Sequence, residues 1–230
     1  MGEHGLVKRM MKGIYEKRPA FPRYSETWDV NIVFSFFDKN ENDVNMNLKE
    51  LTLKLVLLMA IRTGQRCQTL QLLDINNMKL TENKCVFYIK NIVKQSRPNK
   101  HLPPIELLAY PANEKLCIVT MIRKYINFTS KLRQSETRLF ISFSKPHKAV
   151  STDTLARWIK TGLANAGIDT NKYSAHSTRA ASVSAASQRG IPVDTIMKAA
   201  GWTQETTFSK FYRKKTDNMA QGLLDAFGQI

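Results

Sequence analysis

Acidic residues are scarce in this chain: 19 Asp and Glu stand against 35 Lys and Arg, leaving 230 residues with a formal charge of +16. Such a field favours polyanions, most obviously nucleic acid, although a ribosome-associated or membrane-surface protein would fit the charge alone nearly as well. Cysteine is scarcer still. Cys67, Cys85 and Cys117 are odd in number, scattered and at no zinc-ligand spacing, which argues against a zinc ribbon or a disulfide framework and for buried free thiols in a reducing compartment. No apolar run reaches membrane-spanning length, and residues 1–20 lack the hydrophobic segment of a secretory signal. The chain is therefore expected to work inside the cell. Gly2 is not followed by the Ser or Thr of a myristoylation site. No Gly/Ser-rich or Pro-rich linker divides the sequence, 43% hydrophobic content is that of a globular chain, and the length suffices for one well-cored domain, or one domain with a small appendage.

In chain order, residues 1–24 read as a basic N-terminal arm or linker remnant, extended after a short helix, with Lys8, Arg9, Lys12 and Arg18 before Pro19 and Pro22. Ser25 is placed to cap a helix from Glu26 to Asp38 with Trp28, Ile32, Val33, Phe36 and Phe37 inward. Asn47 starts LKELTLKLVLLMAIRTG, hydrophobic nearly all round and so expected to be a buried central helix ended by Gly64. The turn Thr63-Gly64-Gln65-Arg66 leads into an amphipathic helix, CQTLQLLDI. A helix start adds free N–H groups and partial positive charge beside Arg66.

Lys84–Lys90 reads as a strand, paired with the run from His101, with KQSRPNK between. Residues 113–127 read as a helix and RLFISFSK as a buried strand or extended segment. Ser151 or Thr152 opens a helix carrying Arg157, Trp158 and Lys160, with Trp158 assigned to the core. The pattern predicts a mainly α domain with a small antiparallel β-sheet, an α+β class.

The most informative stretch runs from Lys172 to Lys215. His176 and Arg179 are three apart, hence on one face of a helix. A small-residue helix follows and stops at Gly190-Ile191-Pro192; a second, Val193–Ala200, ends at Gly201-Trp202, and Tyr212 lies ten residues past Trp202. This order resembles the catalytic core of the tyrosine recombinases, the phage-integrase family. The wording GW-x4-TF-x3-Y and the small residues after Arg179 are most similar to the DIRS and Crypton types of eukaryotic mobile elements.

The resemblance implies a tyrosine recombinase catalytic-domain fold over residues 25–216 and a C-terminal helix or tail, 217–230, for subunit contact. It implies a catalytic set of Arg66, Lys94, His176, Arg179, Trp202 and Tyr212, with Lys100 the alternative to Lys94. Arg66 matches the Thr-Gly-x-Arg turn, and Lys94 matches the lysine on the β-hairpin. Lys90, Arg97, Lys100, Arg157, Lys160, Lys210 and Arg213 are candidates for DNA-backbone contact, with Lys145 and Lys148 beside them. Thr69 departs from the pattern, since many relatives carry an acidic residue there. The family's DNA cleavage and rejoining needs no metal and no cofactor. Its partners would be double-stranded DNA and further copies of the chain, as a dimer or tetramer. In a eukaryotic source that places it in the nucleus.

Residue chemistry agrees. Guanidinium groups are permanently charged and grip two phosphate oxygens at once. A phenol, with a free pKa of about 10, becomes a nucleophile in cationic surroundings. His carries protons near neutral pH, whereas an indole donates only its N–H. A type IB topoisomerase would share these residues, a silent host-adopted DNA-binding or assembly domain would keep them without chemistry, and an RNA-binding protein would need a stacking-aromatic motif that is missing.

Overall fold

A computed structural model of the chain describes residues 4–18, 24–39, 45–91, 103–202 and the backbone of 215–216. The fold is organised by α3, Leu48–Thr63. Asn47 opens it with a reciprocal cap: its Oδ1 accepts the Glu50 N–H at 3.0 Å, and Glu50 Oε2 accepts the Asn47 N–H at 3.0 Å. Twelve of its sixteen residues are buried, so it has no polar face and must be sheathed on all sides. Each fully buried leucine among them contributes about 2 kcal/mol of hydrophobic stabilisation. The sheath is α5 (Ile118–Thr129), α6 (Thr152–Asn165) and α7 (Ser177–Gln188). The approach of α6 is close at Gly162, where a Cβ would lie 3.0 Å from Leu57 Cδ2. Ser151 caps α6 by accepting the Thr154 N–H at 3.2 Å, and Trp158 is buried with its ring stacked 5.0 Å from Phe143. Its assignment to the core holds.

The sheet has three antiparallel strands rather than two. β2 (Met78–Leu80), β3 (Lys84–Phe87) and β4 (Ile105–Leu108) pair in that order, with Lys79 opposite Val86 and Val86 opposite Glu106. β2 is too short to show an alternating pattern, and the two strands read from sequence are shorter than drawn there. The expected helix over 113–127 divides into a 3-10 turn, Glu114–Leu116, and α5, because the Asn113 side chain caps the turn separately. RLFISFSK is an extended segment buried at Leu139, Phe140 and Ile141, with isolated bridges from Arg138 to Asp74 and from Ile141 to Ala149.

The N-terminal part differs more. The short helix expected at the start of the arm is α1, Gly5–Lys17, with no buried side chain, and the extended stretch expected after it at Pro19 and Pro22 lies outside the described residues. The helix expected from Glu26 begins later, as α2, Val30–Lys39. Glu26–Thr27 instead forms β1, and Asp29 takes over from Ser25 as the opening residue by accepting the Asn31 N–H at 2.9 Å. β1 pairs in parallel with β5, Lys215–Thr216. Among the described residues, no helix is long and apolar enough to cross a membrane.

Candidate active site

Helix ends converge on one point. α3 stops at Gly64, which has φ +58° and sends its N–H back to the Ala60 carbonyl. Thr63 Oγ1 donates to the Met59 carbonyl at 2.7 Å and accepts the Gln65 N–H at 3.2 Å, closing the turn that carries Arg66. Gln65 Nε2 donates to the Ala199 carbonyl at 2.8 Å, and so ties the turn to the last residues of α8, Val193–Ala200. α4, Cys67–Gln71, follows as little more than one turn, so the electrostatic help expected from its N-terminus is small beside that of the side chains.

α7 crosses the same turn. The Arg179 side chain is 1% exposed and its Nη1 donates to the Gly64 carbonyl, while Ser182 Oγ donates to the Ile61 carbonyl. α8 ends at Gly201, φ +69°, and Trp202 folds back with its N–H on the Met197 carbonyl at 2.7 Å. Its indole then supports both arginines: the Arg179 guanidinium carbon lies 4.2 Å and that of Arg66 5.4 Å from the ring centroid. Such contacts contribute roughly 0.5–2 kcal/mol each and hold two like charges side by side. Arg66 Nη1 is buried without a hydrogen-bond acceptor among the described residues.

Above this platform opens a cavity of about 400 Å³. Arg66, Arg179, His176, Arg157 and Lys160 line it, and none of the described residues that line it is a carboxylate. Cationic walls concentrate anions, which suits a phosphodiester. His176 stands exposed at the entry to α7 rather than one turn inside it; the cavity still receives both His176 and Arg179. Lys90 is exposed beyond the end of β3 and does not line the cavity. Lys94, Arg97, Lys100, Lys210, Tyr212 and Arg213 lie outside the described residues. Thr69 is buried in α4. Two contributors escaped the sequence reading. Ser174 lines the cavity, and Gln65 locks the turn; the only signal for Gln65 is its place between Gly64 and Arg66.

The cysteines are free; Cys85 and Cys117 are buried and Cys67 half-buried. Burial pushes the Cys85 thiol up to about 12 and raises that of Cys67, so the reactive thiolate is depleted at both. Iodoacetamide at pH 8 is expected to leave Cys85 unlabelled in the folded protein and to modify it once urea is added, as read by mass spectrometry.

The sequence matches the Phage integrase family over residues 36–219, and the chain belongs to that family. No curated protein matches it by sequence. Among solved structures it resembles XerA recombinase, with a TM-score of 0.64 and 16% identity, over 96% of this chain and 74% of that one. It also resembles the XerH site-specific recombinase bound to a palindromic difH substrate, with a TM-score of 0.61 and 15% identity, over 89% of this chain and 53% of that one. The Tn1549 transposon integrase in complex with transposon right-end DNA gives a TM-score of 0.57 at 12% identity, over 91% of this chain and 68% of that one. The chain thus spans about half to three quarters of the length of these proteins. The mainly helical fold with a three-stranded antiparallel sheet is that of the tyrosine recombinase catalytic domain.

Proposed function

We propose that this protein cuts and rejoins double-stranded DNA through Tyr212, as the catalytic domain of a site-specific recombinase. The observation that carries the reading is the stacking of Arg66 and Arg179, from distant parts of the sequence, on the one indole of Trp202 beneath a cationic cavity. In this reading the two guanidinium groups grip the non-bridging oxygens of the scissile phosphate and bind more tightly as negative charge accumulates in the transition state. The Tyr212 phenol oxygen attacks phosphorus; the bond to the 5′ oxygen breaks and a phosphotyrosine forms at the 3′ end. Lys94 gives a proton to the departing 5′ oxygen, and His176 receives the phenol proton. Attack by a 5′ hydroxyl on the phosphotyrosine reverses each transfer. No step draws on a metal or cofactor.

Arg157 and Lys160, exposed on the α6 wall of the cavity, serve as backbone contacts in this reading, as do Lys90, Arg97, Lys100, Lys210 and Arg213. We further assign the reaction to integration of a mobile element of the DIRS or Crypton type. That assignment rests on the small residues after Arg179 and the GW-x4-TF-x3-Y wording. Copies of the chain would assemble on DNA through residues 217–230, in the nucleus of a eukaryotic source. DNA-bound structures of XerH and of the Tn1549 integrase support a DNA partner.

The test requires no knowledge of the target. Nicked, randomised duplexes that trap covalent intermediates are incubated with the protein and denatured, and DNA-linked protein is digested. The expected result is one nucleotide-bearing peptide, modified at Tyr212. DNA binding that weakens with salt but leaves no adduct would point instead to a silent DNA-binding domain.

A further inference from the structure

The short segment from Tyr24 to Trp28 touches two parts of the protein far along the chain. Its first contact is with the turn that presents His176. Trp28, 3% exposed, donates its indole N–H to Ser177 Oγ at 2.9 Å, and Ser177 Oγ in turn donates to the Ser174 carbonyl at 2.7 Å. The Tyr24 hydroxyl shares a hydrogen bond with Ser174 Oγ at 2.9 Å and accepts the Ser174 N–H at 3.3 Å. The rings of Tyr24 and Tyr173 meet at 5.7 Å, and Lys172 Nζ lies 3.3 Å from Glu26 Oε2. His176 is the residue that opens α7, so the backbone of this turn carries it to the cavity rim. Its second contact is β1 itself, with Glu26 opposite Lys215 and Thr27 opposite Thr216. Lys215 lies three residues past Tyr212 in the sequence.

From this juxtaposition we infer that residues 24–28 are a positioning brace for the reaction, with Trp28 and Tyr24 as positioning residues. One face of the brace holds the Ser174–Ser177 turn, and with it His176, at the cavity rim. Its backbone pins the segment just beyond the nucleophile, so a single strand sets the proton acceptor and the attacking residue in a common frame. Neither side chain lines the cavity, and neither needs to touch DNA. The gain is in alignment, where an ångström of misplacement weakens catalysis more than binding. This inference rests on the strand-cleavage reading above.

The experiment uses the full chain and a nicked duplex recovered from the randomised pool. Trp28→Phe keeps an aromatic ring and removes the N–H; Tyr24→Phe removes one hydroxyl from a half-buried residue and so serves if the first variant fails to fold. Single-turnover formation of the covalent adduct is expected to slow by about tenfold or more, with duplex affinity within about twofold of the parent. In a His176→Ala background, Trp28→Phe is expected to slow the reaction far less, because the residue it aligns is gone. Equal slowing in both backgrounds marks a general structural effect and overturns the inference, as does a parent-like rate in both variants. If the unmodified protein forms no adduct with any duplex, the cleavage reading falls and this one falls with it. An adduct from the parent with unaffected variants removes only the brace.

Discussion

Arg179→Met is expected to suppress covalent adduct formation by roughly 10²–10³-fold, about 3–4 kcal/mol of transition-state stabilisation, while leaving a folded protein. The two halves of that expectation have separate origins. Arg179 is 1% exposed, carries a permanent charge and lies against the Trp202 ring, with Arg66 on the same ring. Two guanidinium groups share one indole, Arg179 buried and Arg66 half-buried, and both the desolvation of Arg179 and the mutual repulsion cost stability. Methionine has comparable length, fills irregular space and removes the desolvation penalty together with the repulsion. Against this stands the lost donation to the Gly64 carbonyl, worth about 1–2 kcal/mol. The melting temperature should therefore move by only a few degrees, whichever its sign. Single-turnover trapping beside a thermal melt checks both halves. Near-normal cleavage by Arg179→Met would remove the residue from the catalytic set, and wholesale unfolding would show that its role is mainly structural.

Gly64→Val should damage stability and cleavage together. Position 64 has φ +58°, a left-handed conformation that strains a β-branched residue by about 1–3 kcal/mol. The Cβ alone would lie 3.3 Å from Ala200 Cβ and 3.7 Å from Ser182 Oγ, so the added methyl groups force α8 or α7 away from the turn. With overpacking of similar size, the loss is expected to approach about 3–4 kcal/mol. For a domain of this length that lowers the melting temperature by roughly 6–15 °C. Cleavage should fall by more than the unfolded fraction explains, even well below the melt. The displaced parts are the ones that matter: the Gly64 carbonyl receives Arg179, Gln65 reaches Ala199, and Arg66 is two residues away. A stable, fully active Gly64→Val protein would show that the convergence of α3, α7 and α8 has little bearing on the reaction.

Much of this site was legible in the sequence, and the reasons are local. Asn47 with Glu50, Ser151 with Thr154, and Gly64 and Gly201 signal helix boundaries through interactions spanning a few residues, and α3, α6, α7 and α8 fall close to where those signals put them. The order of Arg66, His176, Arg179 and Trp202 was legible for another reason, as a spacing shared with a family. What could not be read depends on partners distant in the chain. Glu26 and Thr27 look helical beside Trp28 and Phe36, and become a strand because 215–216 lies alongside. Met78–Leu80 is a strand only because β3 folds onto it. The shared indole under Arg66 and Arg179 needed the path of α8, which Gly64 and Ala200 fix through close approach. The positions of Lys94 and Tyr212 lie outside the described residues, so their roles still rest on sequence.

The β1–β5 pairing has a consequence for the timing of folding. Joining residues 26–27 to 215–216 closes a loop comprising most of the polypeptide. The entropic cost of closure grows only about 0.6 kcal/mol for each doubling of loop length, so the pairing is affordable once the intervening helices have condensed; contacts so remote nevertheless form late. On the ribosome the direction of synthesis fixes the order, because residues 26–27 emerge long before residues 215–216 and wait for them. A nascent chain made only as far as Trp202 would have every described residue that lines the cationic cavity, yet lack the strand that completes its frame. In the strand-cleavage reading proposed above, competence to cut would thus come only after the cavity has formed.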